Sequence, residues 1–241
     1  MADPWLLMWL EAPLQSWGAD SRFGRRDSLD FPTRSGVLGL ICCALGRGGE
    51  QREWLEQMAS YPQNVIAYVR TRSAGEGKSE RAIREPLLRD FHMIGAGYNL
   101  SDPWQKLLEP HMANGKRRTS PGGGAKMTYR YYLQDMAYAI IMPLPEEEAE
   151  TIAEALQNPC WDLYLGRKNC VPTDFIYRGL FPSGEEAETA VQGIAREKQR
   201  IADFRVLQGE HDGEVLTLND IPVRFGTHKQ YRDRQVTMIP L

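Results

Sequence analysis

The sequence lacks any apolar run that approaches the ~20 residues needed to cross a bilayer as a helix. No basic region precedes the short apolar stretch at residues 5–10, so the pattern of a secretory signal is missing as well. We therefore expect a cytoplasmic protein that does not associate with membranes. Its 241 residues suit one large domain, or a domain with a smaller appendage, and the 42% hydrophobic content can bury a core.

Cysteine is scarce, with four in the chain, and no two are spaced as a CxxC pair. Cys42 and Cys43 are adjacent inside an apolar segment, whereas Cys160 and Cys170 lie far away and apart. This spacing favours thiols buried as small apolar groups over a zinc site. We expect neither a metal site nor a cofactor.

An excess of positive charge is also missing, since the formal net charge is −3. A protein that binds nucleic acid by itself usually has a basic balance overall. Either this chain does not bind nucleic acid, or it does so through local basic patches while its acidic residues face elsewhere. The distribution of charge along the chain therefore matters more than the total.

Acidic residues are absent from residues 110–134. The window holds five basic residues and three tyrosines, namely Lys116, Arg117, Arg118, Lys126, Arg130, Tyr129, Tyr131 and Tyr132. Basic residues interleaved with aromatic ones suit phosphate contacts combined with base stacking. A solvated basic loop, with the tyrosines in the core of a sheet, explains the same window equally well.

Three further basic clusters occur outside this window. The first comprises Arg22, Arg25, Arg26 and Arg34, and it places Arg34 and Ser35 at a predicted helix start, where free N–H groups attract phosphate. The second surrounds Arg89 and His92, and the third is Arg167 with Lys168 after Gly166. Surface ion pairs and solvated turns are the alternative interpretation of each cluster.

Hydrophobic patterning predicts the order strand, helix, strand, strand, helix, with a further strand following. The segments are residues 5–10, 33–45, 65–71, 129–142 and a helix opened by Pro145. This order is typical of an α+β, ferredoxin-like or RRM-like sheet with helices on one side. Gly36 and Gly39 are costly inside a helix, which indicates a close neighbour there. A helix near residues 185–201 and short strands suggest a small C-terminal appendage.

Four motifs, in this order along the chain, resemble the CasD family of CRISPR-associated proteins in its type I-E branch. They are APLQSWG at residues 12–18, FPTRSGVLGL at 31–40, RDFH at 89–92 followed by YLQD at 132–135, and YLGRKNCVPT at 164–173. The resemblance extends over nearly the whole chain and depends most on residues 31–40. It is looser after Gly184, and residues 98–126 depart from the family pattern.

The resemblance implies a non-catalytic subunit of a Cascade surveillance complex, which acts in RNA-guided DNA targeting. The subunit would bind the CRISPR RNA 5′ handle and cap the backbone filament. Its partners would be the handle, CasC backbone subunits, the large CasA subunit and target DNA near that end of the complex. The implied architecture is an RRM-like domain over residues 1–179, with a thumb insertion at about 75–128, and an appendage over residues 180–241.

Fifteen residues follow as expected RNA contacts, and no catalytic residue is among them. They are Gln15, Trp17, Arg22, Arg25, Arg26, Arg34, Ser35, Arg89, His92, Arg117, Arg118, Lys126, Arg130, Arg167 and Lys168. Gln15 would read a base edge, Trp17 would stack on a base or hold the loop from the core, and Arg34, Arg167 and Lys168 would bind phosphates.

Two other functions remain open at this point. One is a metal-independent endoribonuclease that processes CRISPR RNA, as in the type I-C branch, for which His92, Tyr132 and Lys126 supply the needed residue types. The other is a scaffold that binds only proteins through its acidic faces.

Overall fold

A computed structural model describes residues 3–18, 24–73, 79–81, 84–94, 102–106, 114–116 and 126–241. The strands are β1 (Trp5–Glu11), β2 (Leu14–Gln15), β3 (Trp17–Gly18), β4 (Arg25–Arg26), β5 (Ser28–Leu29), β6 (Asn64–Ser73), β7 (Ser79–Arg81), β8 (Leu88–Ile94), β9 (Lys126–Gln134), β10 (Ala137–Pro143), β11 (Tyr177–Phe181), β12 (Arg200–Gln208), β13 (Glu214–Arg224) and β14 (Gln230–Pro240). The helices are α1 (Arg34–Ala44), α2 (Arg52–Ala59), α3 (Pro103–Lys106), α4 (Glu146–Gln157) and α5 (Gly184–Glu197). Within these ranges, no helix is long and apolar enough to span a membrane.

The main sheet has the strand order β11-β1-β10-β6-β12-β14-β13. Its neighbouring strands pair antiparallel. The expected strands and helices are present near the predicted positions, and the fold is mixed α/β with mostly antiparallel sheets. Residues 129–142 are the exception, because they form two strands, β9 and β10, in different sheets. The strand is interrupted at Asp135, whose φ of 50° is incompatible with a continuing strand.

Both faces of the main sheet are covered. On one face Leu6, Met8 and Leu10 of β1 pack in a core that includes α1 and α4. On the other face Leu7 and Trp9 pack with Ala187, Val191 and Ala195 of α5. Strand β1 is therefore apolar at successive positions rather than at alternate ones, since its side chains point to two buried faces.

The segment after residue 180, expected as a small appendage, contributes three strands to the main sheet. Strand β12 pairs with β6, and β14 and β13 continue the sheet beyond it. Arg200 of β12 also forms ion pairs with Glu11, at 2.6 Å, and with Asp135, at 3.2 Å. The sheet is thus continuous across residue 180.

Strands β8 and β9 pair as a ribbon in which Leu88 lies opposite Tyr132 and Ile94 opposite Lys126, and β9 also pairs with β2 and β4 in a four-stranded sheet. Most of the predicted thumb, about 75–128, lies outside the described residues, so its boundaries stay a prediction.

Candidate nucleic-acid interface

The loop after β1 is held from inside by Gln15 and Trp17. The Gln15 Nε2 group donates to the carbonyl oxygens of Leu10 and Met136, at 3.2 and 2.8 Å, and its Oε1 accepts from Trp17 Nε1 at 3.2 Å. Both side chains are buried. The expectation that Gln15 reads a base edge is corrected, because its amide is used within the core. Of the two roles expected for Trp17, the structure favours holding the loop from the core. The close neighbour predicted for Gly36 is the indole of Trp17.

Arg34 is fully buried, which corrects its expected role as a phosphate ligand. Its guanidinium donates to the carbonyl oxygens of Met58 and Tyr61 at the end of α2. Its backbone N–H donates to the Asp220 carboxylate at 2.8 Å, so a protein carboxylate occupies the helix start expected to attract phosphate. Burial and the neighbouring Arg234, opposed by Asp220, lower the pKa of Arg34 to about 10.

Arg167 fastens the turn at residues 164–168 to the neighbouring strands. Its guanidinium donates to the carbonyl oxygens of Tyr131, at 3.1 Å, and Arg26, at 2.9 Å, and lies 4.6 Å from the centre of the Tyr132 ring. Arg167 thus helps to position the turn, but it is only part-buried, so its expected phosphate contact stays a prediction. Lys168, the next residue, is exposed.

Gly166 brings the same turn against the loop after β1. Its φ is +94°, and a Cβ at this position would lie 1.7 Å from the Ser16 carbonyl oxygen. The Ser16 N–H donates to the Leu165 carbonyl at 3.2 Å. The turn and the loop, which belong to two separate motifs, are in direct backbone contact here.

A groove of about 930 Å³ runs beside α1. Gly36, Gly39 and Cys43 of α1 line it. The prediction of a close neighbour is wrong for Gly39, because a Cβ there would meet no atom within 4 Å. The groove is bordered by residues 161–168 and by the end of the β13–β14 hairpin. It therefore offers open access to a helix surface made of small side chains.

Cationic and aromatic side chains line this groove. The cations are Arg26, Arg47, Arg167, Lys168 and Lys229, and Ser35 also lines the groove. The aromatic residues are Trp17, Trp161, Tyr164, Phe225 and Tyr231, of which Trp17 is buried and Trp161 is 48% exposed. Asp27 and Asp162 also line the groove, and Asp27 pairs with Arg25 at 2.8 Å. Phosphate contacts together with base stacking are the chemistry that this combination supports.

Sequence reasoning missed Trp161, Tyr164, Lys229 and Tyr231. Tyr164 is the first residue of the motif at 164–173, and Trp161 lies shortly before it. Their proximity to this motif was a signal that could have identified them. For Lys229 and Tyr231 the signal was a second window without acidic residues, at residues 221–232.

A second group of expected residues lies on the β8–β9 ribbon. The Arg89 guanidinium lies 5.6 Å from the centre of the Tyr129 ring, and His92 Nε2 lies 2.8 Å from Asp90 Oδ2. Arg130 lies opposite Asp90, and Arg25 lies 4.9 Å from the Tyr131 ring centre. Arg22, Arg117 and Arg118 lie outside the described residues, as does the side chain of Lys126.

One face of the ribbon is apolar and exposed, and we call it the ribbon strip. It comprises Phe91, Met93, Met127 and Tyr129, which share the face because they alternate along paired strands. The rings of Phe91 and Tyr129 lie 5.3 Å apart.

The residues proposed for the ribonuclease alternative do not converge where the structure describes them. Tyr132 is buried and pairs with Leu88, four residues from His92, which places the two about 13 Å apart along the ribbon. In the groove, burial and the neighbouring Asp162 and Cys160 raise the pKa of the Cys43 thiol, which disfavours a thiolate. Within the described ranges, no three His, Cys, Asp or Glu residues are grouped to hold a metal.

Comparison with known proteins identifies the family. The model of the family described as CRISPR-associated protein (Cas_Cas5) matches residues 5–237. The chain belongs to this family. It is 28% identical over 236 residues to the CRISPR system Cascade subunit CasD of Escherichia coli (strain K12), covering 94% of each chain. The resemblance inferred from the four motifs is thereby confirmed.

Two solved structures share the fold of this Cas5-family chain. A chain described as CRISPR RNA-guided surveillance complex superposes with a TM-score of 0.66 and 28% identity, covering 98% of this chain and 89% of that one. A second, described as crystal structure of Cas protein, has a TM-score of 0.54 and 23% identity, covering 99% and 95%. The second likeness concerns the fold alone.

Proposed function

We propose that this Cas5-family chain is a non-catalytic subunit of a type I-E Cascade surveillance complex that binds the CRISPR RNA 5′ handle. In this role it caps the backbone filament of a complex that targets DNA in the cytoplasm. The similarity to a Cascade subunit and to a chain of an RNA-guided surveillance complex supports the proposal. The observation that carries it is the groove beside α1, where cations and aromatic rings lie together.

We further propose an RRM-like core. Strands β11, β1, β10 and β6 are adjacent in this order and alternate with α1 and α4 along the chain, which supports the assignment. In RRM domains, aromatic residues on the open sheet face stack on bases. Here α5 covers that side of the sheet and encloses Trp9 and Tyr68. This occlusion favours the groove over the sheet as the place where RNA binds.

In the groove, Lys168 and Arg26 neutralise phosphates, which gives affinity without sequence information. Trp161 and Tyr164 supply aromatic faces for unstacked bases. The small side chains of α1 allow the sugar–phosphate backbone to approach the helix closely. Arg167 keeps Lys168 in place through its contacts to backbone carbonyls.

The proposed protein partners are CasC backbone subunits and the large CasA subunit, with target DNA near the same end of the complex. The ribbon strip is our candidate surface for the first CasC subunit, because exposed apolar side chains at the base of the predicted thumb suit a protein interface. In this proposal Arg89, which shares the face of the ribbon strip, and His92, on the opposite face of β8, contact the handle near the CasC subunit.

Substitutions in the groove test RNA binding. We expect Trp161→Leu to weaken binding of single-stranded repeat RNA by about 1–3 kcal/mol, the value of one base–aromatic stack. Lys168→Ala should lower the slope of log K against log salt by about 0.7, because one phosphate contact is lost. Fluorescence anisotropy with the full chain measures both quantities.

Phe175→Leu and Arg196→Ala are the matched controls. Phe175 is 81% exposed away from the groove, and Arg196 is exposed on α5. Both control variants should bind RNA as the parent does. Unchanged binding by Trp161→Leu and Lys168→Ala would refute the groove as the RNA site.

The non-catalytic part of the proposal predicts that repeat RNA stays intact. The purified chain is incubated with end-labelled repeat RNA in EDTA, and the products are resolved by denaturing electrophoresis. We expect no site-specific cleavage, because His92 and Tyr132 lie apart on the ribbon. Cleavage at one position that His92→Ala abolishes would establish the ribonuclease function instead.

A further inference from the structure

The end of the β13–β14 hairpin carries a concentration of positive charge. Residues 221–232 contain no Asp or Glu but include Arg224, His228, Lys229 and Arg232. The whole chain, in contrast, has a net charge of −3. Two aromatic residues, Phe225 and Tyr231, lie within this window. We call residues 224–232 the hairpin tip.

The hairpin tip is docked against the groove rather than projecting from the sheet. The Phe225 N–H donates to the Glu50 carbonyl at 3.0 Å, and a Cβ at Gly226 would lie 3.7 Å from the Gly49 backbone. Below the tip, the buried Asp220 joins Arg234 of β14 to the first residue of α1. The tip is therefore held in place before any ligand binds, which lowers the entropic cost of binding.

Only some side chains of the hairpin tip face the groove. Lys229 and Tyr231 line it, together with Lys168, Trp161 and Arg26. Arg232 follows Tyr231 in β14, and because successive side chains of a strand point to opposite faces, it points away. Burial raises the pKa of Tyr231 further above neutral pH, and its protonated hydroxyl can donate a hydrogen bond.

We propose that Lys229 and Tyr231 extend the RNA site, Lys229 by contacting a phosphate and Tyr231 by stacking on a base. The ligand is single-stranded RNA, since a cation close to an aromatic ring in sequence and in the same groove fits a phosphate next to an unpaired base. The inference rests on the proposed function, because it assigns a second border to the same groove. An acidic protein segment is the competing occupant.

The test uses the full chain and a mixed-sequence single-stranded RNA of about 12 nucleotides. Lys229→Ala should weaken binding and lower the slope of log K against log salt by about 0.7. Arg232→Ala removes the same charge from the other face of the strand, and we expect it to leave affinity and slope unchanged. Tyr231→Leu should weaken binding by about fivefold or more, whereas Tyr231→Phe should keep the stack. Circular dichroism verifies that the variants fold.

Each outcome discriminates between the two proposals. If Lys168→Ala weakens binding but Lys229→Ala and Tyr231→Leu do not, the role of the hairpin tip is refuted and the groove function stands. If none of the three weakens binding, the groove function fails with it. Equal losses for Lys229→Ala and Arg232→Ala would indicate a general charge effect and overturn the assignment. Polyglutamate serves as the probe for an acidic protein segment. If Lys229→Ala loses binding to polyglutamate but binds RNA as the parent does, the hairpin tip binds a protein partner instead and the proposal is overturned.

Discussion

Asp220→Asn is expected to lower the free energy of unfolding by about 3–5 kcal/mol, the cost of removing one partner from a buried ion pair. The Asp220 carboxylate accepts from Arg234 Nε and Nη2, at 2.7 and 2.9 Å, and from the Arg34 N–H. If Asp220 loses its charge, the guanidinium groups of Arg34 and Arg234 stay buried between α1 and the hairpin without the carboxylate that now opposes them. Urea denaturation followed by circular dichroism measures the change.

Asp233→Asn is the matched control on the same hairpin. Asp233 is exposed and accepts from Asn219 Nδ2 at 2.5 Å, so we expect a change within about 0.5 kcal/mol. Combining Asp220→Leu with Arg234→Met replaces the ion pair by apolar groups and should recover much of the loss. A small effect of Asp220→Asn would mean that the pair contributes little and that other contacts hold the hairpin to α1.

Gly166→Ala should destabilise the chain by about 2–5 kcal/mol and abolish RNA binding in the groove. A left-handed backbone by itself costs a non-glycine residue about 1–2 kcal/mol. The new Cβ would in addition lie 1.7 Å from the Ser16 carbonyl oxygen, which is backbone and cannot rotate away. The turn must then move, and it carries Arg167 and Lys168 with it. Urea denaturation and RNA anisotropy report the two effects separately.

Gly209→Ala separates the clash from the backbone strain. Gly209 has nearly the same φ, +90°, and a Cβ there would meet no atom within 4 Å. We expect a loss of only about 1–2 kcal/mol and unchanged RNA binding. If the two alanine variants behave alike, the close approach to Ser16 does not position the turn.

Local pattern was sufficient to predict most of the core elements. Helix α1 begins at Arg34, within the predicted segment 33–45, and Thr33 caps it because its Oγ1 accepts from the Gly36 N–H at 3.1 Å. Local pattern failed at Asp135, because residues suited to strands lie on both sides of the turn and conceal it. The occlusion of the second sheet face by α5 was also not predictable, because the apolar positions of β1 do not reveal which helix covers them.

The candidate site was predicted less well than the fold, and Arg34 shows why. Its position at a helix start indicated a phosphate ligand, but the carboxylate that receives its N–H is 186 residues away in sequence. Gln15 and Trp17 are similar, since Gln15 donates to Met136, 121 residues distant. Arg34, Gln15 and Trp17 belong to the family motifs but are buried beneath the groove, whereas Lys168 is exposed in it.

The sequence by itself determined the family, the order of the core elements and the concentration of charge in local windows, because these depend on residue types and short spacings. Only the tertiary structure decided which cations face the groove and which are buried. It also brought Lys229 and Tyr231 to the same groove as Lys168. The physical reason is that burial and hydrogen-bond partners are set by segments that are distant in sequence and meet only on folding.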